Sequence, residues 1–257
     1  MLKKNAGSTR QQQILDLLAQ RGAVKTSVLA THFGVSRETI RRDLIDLNAQ
    51  GRIKKSFGTI LPTNDFAIPP VANRLNANQV AKNAICSAAF NQFKDRRVIY
   101  IDAGSTALTY ARLYRTLSDY TIITNSIPVV QELATSQNRV ISVGGVIDGM
   151  TLATTGDQAE RFLQKIKIDV AILGSSGFAG HLGPTSNSLE DEQIKQTVIA
   201  NAQTSVVLAD SSKATTAALV AYTSWQDIDY LVTDNGIADA YLNKLSPLTD
   251  VIVAPTD

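Results

Sequence analysis

Apolar positions in the N-terminal part of the chain recur at helical spacing. Arg10 to Gln20 carries Ile14, Leu15, Leu17 and Leu18 as one stripe, ended by Gly22. Thr26 or Ser27 can cap a second short helix through Val28, Leu29, Ala30 and Phe33. Gly34 then tolerates the positive φ of a tight turn. Ser36 is a good N-cap for a third helix, whose apolar face is Ile40, Leu44 and Leu47 and which runs to about Gln50 before Gly51. Two short β-stretches around Gly58, within Arg52 to Ile60, are expected to form a basic hairpin, or wing. Pro62-Thr63-Asn64-Asp65 and Ile68-Pro69-Pro70 then break regular structure. A single amphipathic helix is expected from Asn78 to Phe93, with Arg74 and Lys82 as solvated or interdomain side chains and Cys86 as a core filler.

Beyond residue 95 the pattern changes to short apolar runs alternating with helical ones. Strands are expected at Val98–Ile101, Thr121–Thr124, Val140–Val143, Val170–Leu173, Ser205–Leu208, Tyr230–Thr233 and Val251–Val253. Helices are expected near Thr106–Thr116, Pro128–Thr135, Gln158–Lys165, Asp191–Gln203 and Ile237–Asn243. Such alternation implies a mostly parallel sheet covered on both faces. The predicted fold is α+β in two domains: a winged helix-turn-helix over residues 1–62, a linker over 63–77 and an α/β domain over 78–257.

Charge sharpens this division. The net charge is only +2, but residues 1–62 hold 11 Lys/Arg against 4 Asp/Glu, a net of +7, and the remainder carries −5. A basic small segment on an acidic large one suggests that the first part meets a polyanion. The third helix offers the means. A helix fits the DNA major groove and its first residues reach the base edges. Ser36, Arg37 and Thr39 are therefore candidates for the groove floor or flanking phosphates, Arg41 and Arg42 for phosphate or guanine, and Lys54 and Lys55 of the wing for the backbone. The bland alternative is a small helical unit with an accidentally basic face; the agreement of cap, turn, apolar spacing and charge favours DNA.

Open parallel sheets bind ligands beyond the carboxyl ends of their strands, and four motifs fall there. Asp102-Ala103-Gly104-Ser105-Thr106 leads from a strand into a helix, where Gly104 permits close approach and Ser105 and Thr106 can bond phosphate oxygens; a plain capped turn is the even alternative. Thr124-Asn125-Ser126 can address sugar hydroxyls or simply cap the next helix. Gly144-Gly145 is either a close-approach point or a bare turn. Lys195, on a helix begun by Glu190, Asp191 and Glu192, joins Asp210-Ser211-Ser212-Lys213 as phosphate and hydroxyl partners. Asp191 is the first choice among the three acids and Glu192 the second.

The residues also carry a resemblance. Val24-Lys25-Thr26-Ser27-Val28-Leu29-Ala30 and Phe33-Gly34-Val35-Ser36-Arg37-Glu38-Thr39-Ile40-Arg41-Arg42-Asp43-Leu44 resemble the DNA-binding signature of the DeoR family of bacterial regulators. Lys54, Lys55 and Gly58-Thr59 depart from the arginine and Gly-Gly-Ala turn usual in its wing. Asp102-x-Gly-Ser-Thr, Thr124-Asn125, Gly144-Gly145, Gly174-Ser175-Ser176-Gly177, Lys195 and Asp210-Ser-Ser-Lys213 are similar, in order, to the family's sensor domain. The resemblance implies a sensor fold like ribose-5-phosphate isomerase, a phosphorylated sugar as effector, double-stranded operator DNA as partner and repression of a sugar-metabolism operon. The alternative is an isomerase-like sugar-phosphate enzyme with an appended DNA-binding domain, for which Asp102, Asp210 and Lys213 could support proton transfer.

Other chemistry is not expected. His32 and His181 lack metal-ligand spacing, Ser211 lacks a hydrolase triad, and Trp225 is read as packing. No cofactor, signal peptide or membrane span is expected. With one cysteine the chain reads as cytoplasmic, and a helix-turn-helix that reads half-sites implies a homodimer or homotetramer.

Overall fold

A computed structural model describes residues 10–15, 17–18, 24–50, 52–56, 59–62, 74–216 and 218–256. The chain divides into two compact units, Met1–Arg74 and Leu75–Asp257. Most of the expected linker, residues 63–73, and the wing's Gly58 lie outside the described residues.

In the first unit, helix α1 (residues 10–15 and 17–18) is followed by strand β1 (Val24–Lys25), helix α2 (Thr26–Phe33), helix α3 (Arg37–Ala49) and strands β2 (Ile53–Ser56) and β3 (Thr59–Pro62). Gly34 stops α2 at φ 62°, in the left-handed region. There the Val35 N–H reaches the Ala30 carbonyl and the Gly34 N–H the Thr31 carbonyl, the paired bonds of a Schellman end. One residue later Ser36 caps α3 by accepting from the Thr39 N–H at 3.1 Å. Ile40, Leu44 and Leu47 are buried with Ile14, Leu18, Leu29, Ile53 and Ile60 in one core. The buried Asp43 carboxylate accepts from Arg10 Nε at 2.5 Å and Nη2 at 3.1 Å, a forked pair that pins α1 to α3. The wing has a third strand that periodicity does not reveal: β1 pairs antiparallel with β3, which pairs with β2.

The second unit is a seven-stranded, fully parallel sheet in the order β14-β13-β11-β9-β4-β5-β6. The strands are β4 (Val98–Ile101), β5 (Ser118–Thr124), β6 (Gln137–Ser142), β9 (Val170–Gly174), β11 (Ser205–Leu208), β13 (Tyr230–Asp234) and β14 (Asp250–Ala254). Alternation along them supplies two cores. Ile99, Ile101, Val170, Ile172, Val206 and Leu208 face helices α4 (Gln79–Phe93), α5 (Ser105–Ala111) and α6 (Ile127–Leu133). Tyr100, Ala171, Leu173, Val207 and Leu231 face α7 (Asp157–Leu163), α8 (Leu189–Asn201) and α9 (Asp239–Leu245). Trp225 packs in this second core, edge-on to Phe178.

Three expectations need correction. The helix expected at Thr106–Thr116 ends at Ala111 and tightens into a 3₁₀ turn at Arg112–Tyr114. A small hairpin, β7–β8 (Val146–Ile147 with Thr154–Thr155), and a separate antiparallel pair, β10–β12 (Thr185–Ser186 with Val220–Ala221), lie where no strand was expected. Lys82 is not solvated: it is 4% exposed on α4, beside the buried Cys86. Among the described residues no helix is long and apolar enough to cross a membrane.

Strand order places the functional edge. From β4 the chain adds β5 and β6 on one side, then returns to add β9, β11, β13 and β14 on the other. The direction reverses between β4 and β9, so the crevice of this sheet opens at their carboxyl ends, at Asp102 and Gly174.

Candidate functional site

The first surface is the outward face of α3. Packing of Ile40, Asp43, Leu44 and Leu47 turns Arg37, Arg41 and Arg42 to solvent, with Arg41 63% and Arg42 78% exposed. Glu38 lies among them, accepting from Arg41 Nε at 2.9 Å and sitting 3.8 Å from Arg42 Nε. The Arg41 guanidinium holds the Glu38 carboxyl below the usual carboxylate range. The two arginines are thus gathered on one face by a carboxylate that a phosphate can replace. Ser36 is occupied as the helix cap, and its hydroxyl lies 2.8 Å from that of Thr39. Lys54 and Lys55 sit on β2 opposite Leu61 and Ile60; their side chains lie outside the described residues.

The second surface is the carboxyl edge of the sheet, where Asp210, Gly174, Asp102, Thr124-Asn125 and Gly144 stand at or just beyond the ends of β11, β9, β4, β5 and β6 in that lateral order. Neighbouring ends lie roughly 5 Å apart. Asp102, 0% exposed, crosses the switch point: its Oδ2 accepts from the Gly174 N–H at 2.9 Å and from Lys195 Nζ at 2.5 Å. Lys195, 3% exposed on α8, also lies 3.1 Å from Asp191. Asp191 in turn accepts from Ser186 Oγ of β10 at 2.6 Å. Glu190 is bonded by Ser188 and Glu192 by Gln196, so of the three acids it is Asp191 that joins Lys195 and Asp102.

Burial works against the charges of both Asp102 and Lys195. It raises Asp102 above the usual carboxylate value, opposed by Lys195 and reinforced by Asp191. For Lys195, burial pushes down, but Asp102 and Asp191 outweigh it and keep the ammonium above the ordinary lysine value. Tyr222, whose ring lies 5.6 Å from Lys195 Nζ and whose hydroxyl donates to the Gly174 carbonyl, is held neutral by burial and by both carboxylates. With one ammonium between two carboxylates, the cluster does not attract an anion; it is suited to receiving hydroxyl donors. Lys195, which the sequence suggested as a point charge for phosphate, is engaged by Asp102 and Asp191.

Three buried polar atoms beside this cluster have no partner among the described residues: the Tyr100 hydroxyl, Asp102 Oδ1 and Asn125 Oδ1, the last two on adjacent strand ends. Buried acceptors are bonded in the great majority of cases. Asn125 uses its amide nitrogen to hold the Thr154 carbonyl at 3.3 Å, stitching hairpin β7–β8 to the end of β5. Thr124 and Ser126 serve locally, one accepting from the Ser126 N–H and the other capping α6. Gly145, at φ 137°, passes so close to the hairpin that a Cβ would stand 2.4 Å from the Thr155 carbonyl oxygen. Gly104, at φ 144°, precedes α5; Ser105 is buried and Thr106 half-buried on its first turn.

At the end of β11, Asp210 caps the 3₁₀ turn Ser211–Thr215 and is 3% exposed. Lys213 lies half-buried on that turn. Sequence reasoning missed Asn78, whose amide donates to Asp210 Oδ1 at 3.0 Å and to Ser212 Oγ at 3.3 Å. No group of three metal-ligating side chains occurs among the described residues.

Comparison with known proteins covers nearly the whole chain. Residues 10–63 match the DeoR-like helix-turn-helix domain and residues 77–235 the DeoR C-terminal sensor domain. The HTH-type regulator YulB of Bacillus subtilis is 30% identical over 92% of each chain. The HTH-type transcriptional repressor GlcR of the same organism is 31% identical over 90% of each. A ribose-5-phosphate isomerase solved with phospho-erythronic acid overlaps 54% of each chain at 19% identity, with a TM-score of 0.40.

Proposed function

The chain belongs to the DeoR family of DNA-binding transcriptional regulators, and from that premise we propose that it represses a sugar-metabolism operon under control of a phosphorylated sugar. The α3 face bearing Arg37, Arg41 and Arg42 meets operator DNA, with Thr39 at the groove and Lys54 and Lys55 along the backbone. The effector sits at the carboxyl edge of the sheet. The observation that carries this is the pair of buried, unpartnered acceptors Asp102 Oδ1 and Asn125 Oδ1 at the neighbouring ends of β4 and β5. Sugar hydroxyls supply the donors they need. The phosphate goes to Lys213, with Gly104, Ser105 and Thr106 alongside, away from the Asp102–Lys195–Asp191 cluster. That GlcR is named a repressor supports the sign of regulation. A homodimer or homotetramer reads paired half-sites, and the protein works in the cytoplasm, where DNA and sugar phosphates meet. Lys195 engages both Asp102 and Asp191, which speaks for a binding cleft rather than an isomerase base.

Titration calorimetry tests the effector assignment, using glucose 6-phosphate, fructose 1-phosphate, ribose 5-phosphate and glycerol 3-phosphate, each beside its unphosphorylated parent. One phosphorylated compound is expected to bind saturably and without turnover, its free counterpart at least about tenfold more weakly, and Lys213→Ala is expected to erase that difference. Equal affinity for the free sugar, or saturable isomerisation, would contradict the proposal.

A further inference from the structure

Asn78 opens α4 in an unusual way. It stands at φ 52°, ψ 37°, in the left-handed region that asparagine tolerates better than other side chains. Asparagine at a helix start ordinarily turns back to bond the N–H groups of the first turn, but here the side chain makes no cap bond. Its carbonyl begins the helix by accepting from the Lys82 N–H at 3.0 Å. Its amide reaches across 132 residues to Asp210 Oδ1 and Ser212 Oγ. Asp210 Oδ1 also accepts from the Ser212 N–H and hydroxyl, so one carboxylate oxygen ties the start of α4 to the motif after β11.

We infer that Asn78 is a positioning residue of the effector cleft and the point at which its occupancy reaches the DNA-binding unit. The inference rests on the effector assignment proposed above. Any ligand that bonds Asp210 or Ser212 changes the acceptors offered to the Asn78 amide. A change in that bond acts on the residue that caps the start of α4, four residues beyond the end of the N-terminal unit at Arg74. Linkage then requires that the effector and the conformation of this segment influence each other equally.

The test compares the full-length parent with Asn78→Gly, which keeps the left-handed backbone and removes the amide, and with Asn78→Asp, which sets a carboxylate against Asp210. Operator affinity is measured by fluorescence anisotropy with and without saturating amounts of each of the four phosphorylated compounds named above, and their affinity by calorimetry. In the parent, the effector is expected to change operator affinity by a factor within about 5–150-fold. In both variants that factor falls below about threefold, while the effector still binds within about tenfold of the parent. Parent-like responses in Asn78→Gly would overturn the inference alone. So would complete loss of effector binding, which would make Asn78 a direct ligand group. A parent whose operator affinity none of the four compounds changes would overturn the effector assignment and this inference with it.

Discussion

Lys195→Met is expected to destabilise the sensor domain by about 3–5 kcal/mol near pH 8, because it strands a buried carboxylate. Asp102 is fully buried and keeps only the Gly174 N–H as a partner once the ammonium is gone, with Asp191 close enough to repel it. The loss depends on pH in a defined sense. Burial already raises the Asp102 carboxyl above its unfolded value, and removing Lys195 raises it further. A group with a raised native pKa binds its proton more tightly when folded, so its contribution falls as pH rises from the unfolded value through the native one. The variant therefore loses less at pH 5 than at pH 8. Adding Asp102→Asn to Lys195→Met removes the stranded charge and is expected to restore more than half of the stability. Urea unfolding at both pH values measures all three quantities. A loss below about 1 kcal/mol at pH 8, as for an exposed ion pair, would show that the cluster does not hold the switch point together.

Arg41→Ala combined with Arg42→Ala is expected to weaken operator binding about 10–100-fold and leave effector affinity unchanged. Both guanidinium groups are exposed and, among the described residues, pair with Glu38, so their removal changes stability little. Each lost phosphate contact should also lower the slope of log affinity against log salt by about one. Operator affinity equal to the parent's at matched salt would move the DNA-binding face off α3.

The two predictions bear on features of different legibility. The helix-turn-helix was readable because its determinants are local: Gly34 must leave the helix, Ser36 must cap the next, and Ile40, Leu44 and Leu47 share one face. The seven strands were readable because each is an apolar run between helical ones. The short strand pairs β7–β8 and β10–β12 were not, since two residues per strand give no period. Lys82 misled because a charge on a helix suggests water, whereas α4 lies against the sheet and buries it. The side-chain pairs that build the sites span 33 residues for Arg10–Asp43, 93 for Asp102–Lys195 and 132 for Asn78–Asp210. No local pattern announces such partners. Asp102, Asp191 and Lys195 were each singled out from their motifs, but their pairing with one another is a property of the fold.

The most direct test of regulation by a sugar phosphate is fluorescence anisotropy of a labelled duplex from the protein's own promoter region, titrated at several salt concentrations. Tight, salt-dependent binding is expected, at least about 10³-fold stronger than to a scrambled duplex, and weakened by one phosphorylated sugar but not by its free form. Equal affinity for the scrambled duplex at matched salt would contradict a sequence-specific regulator.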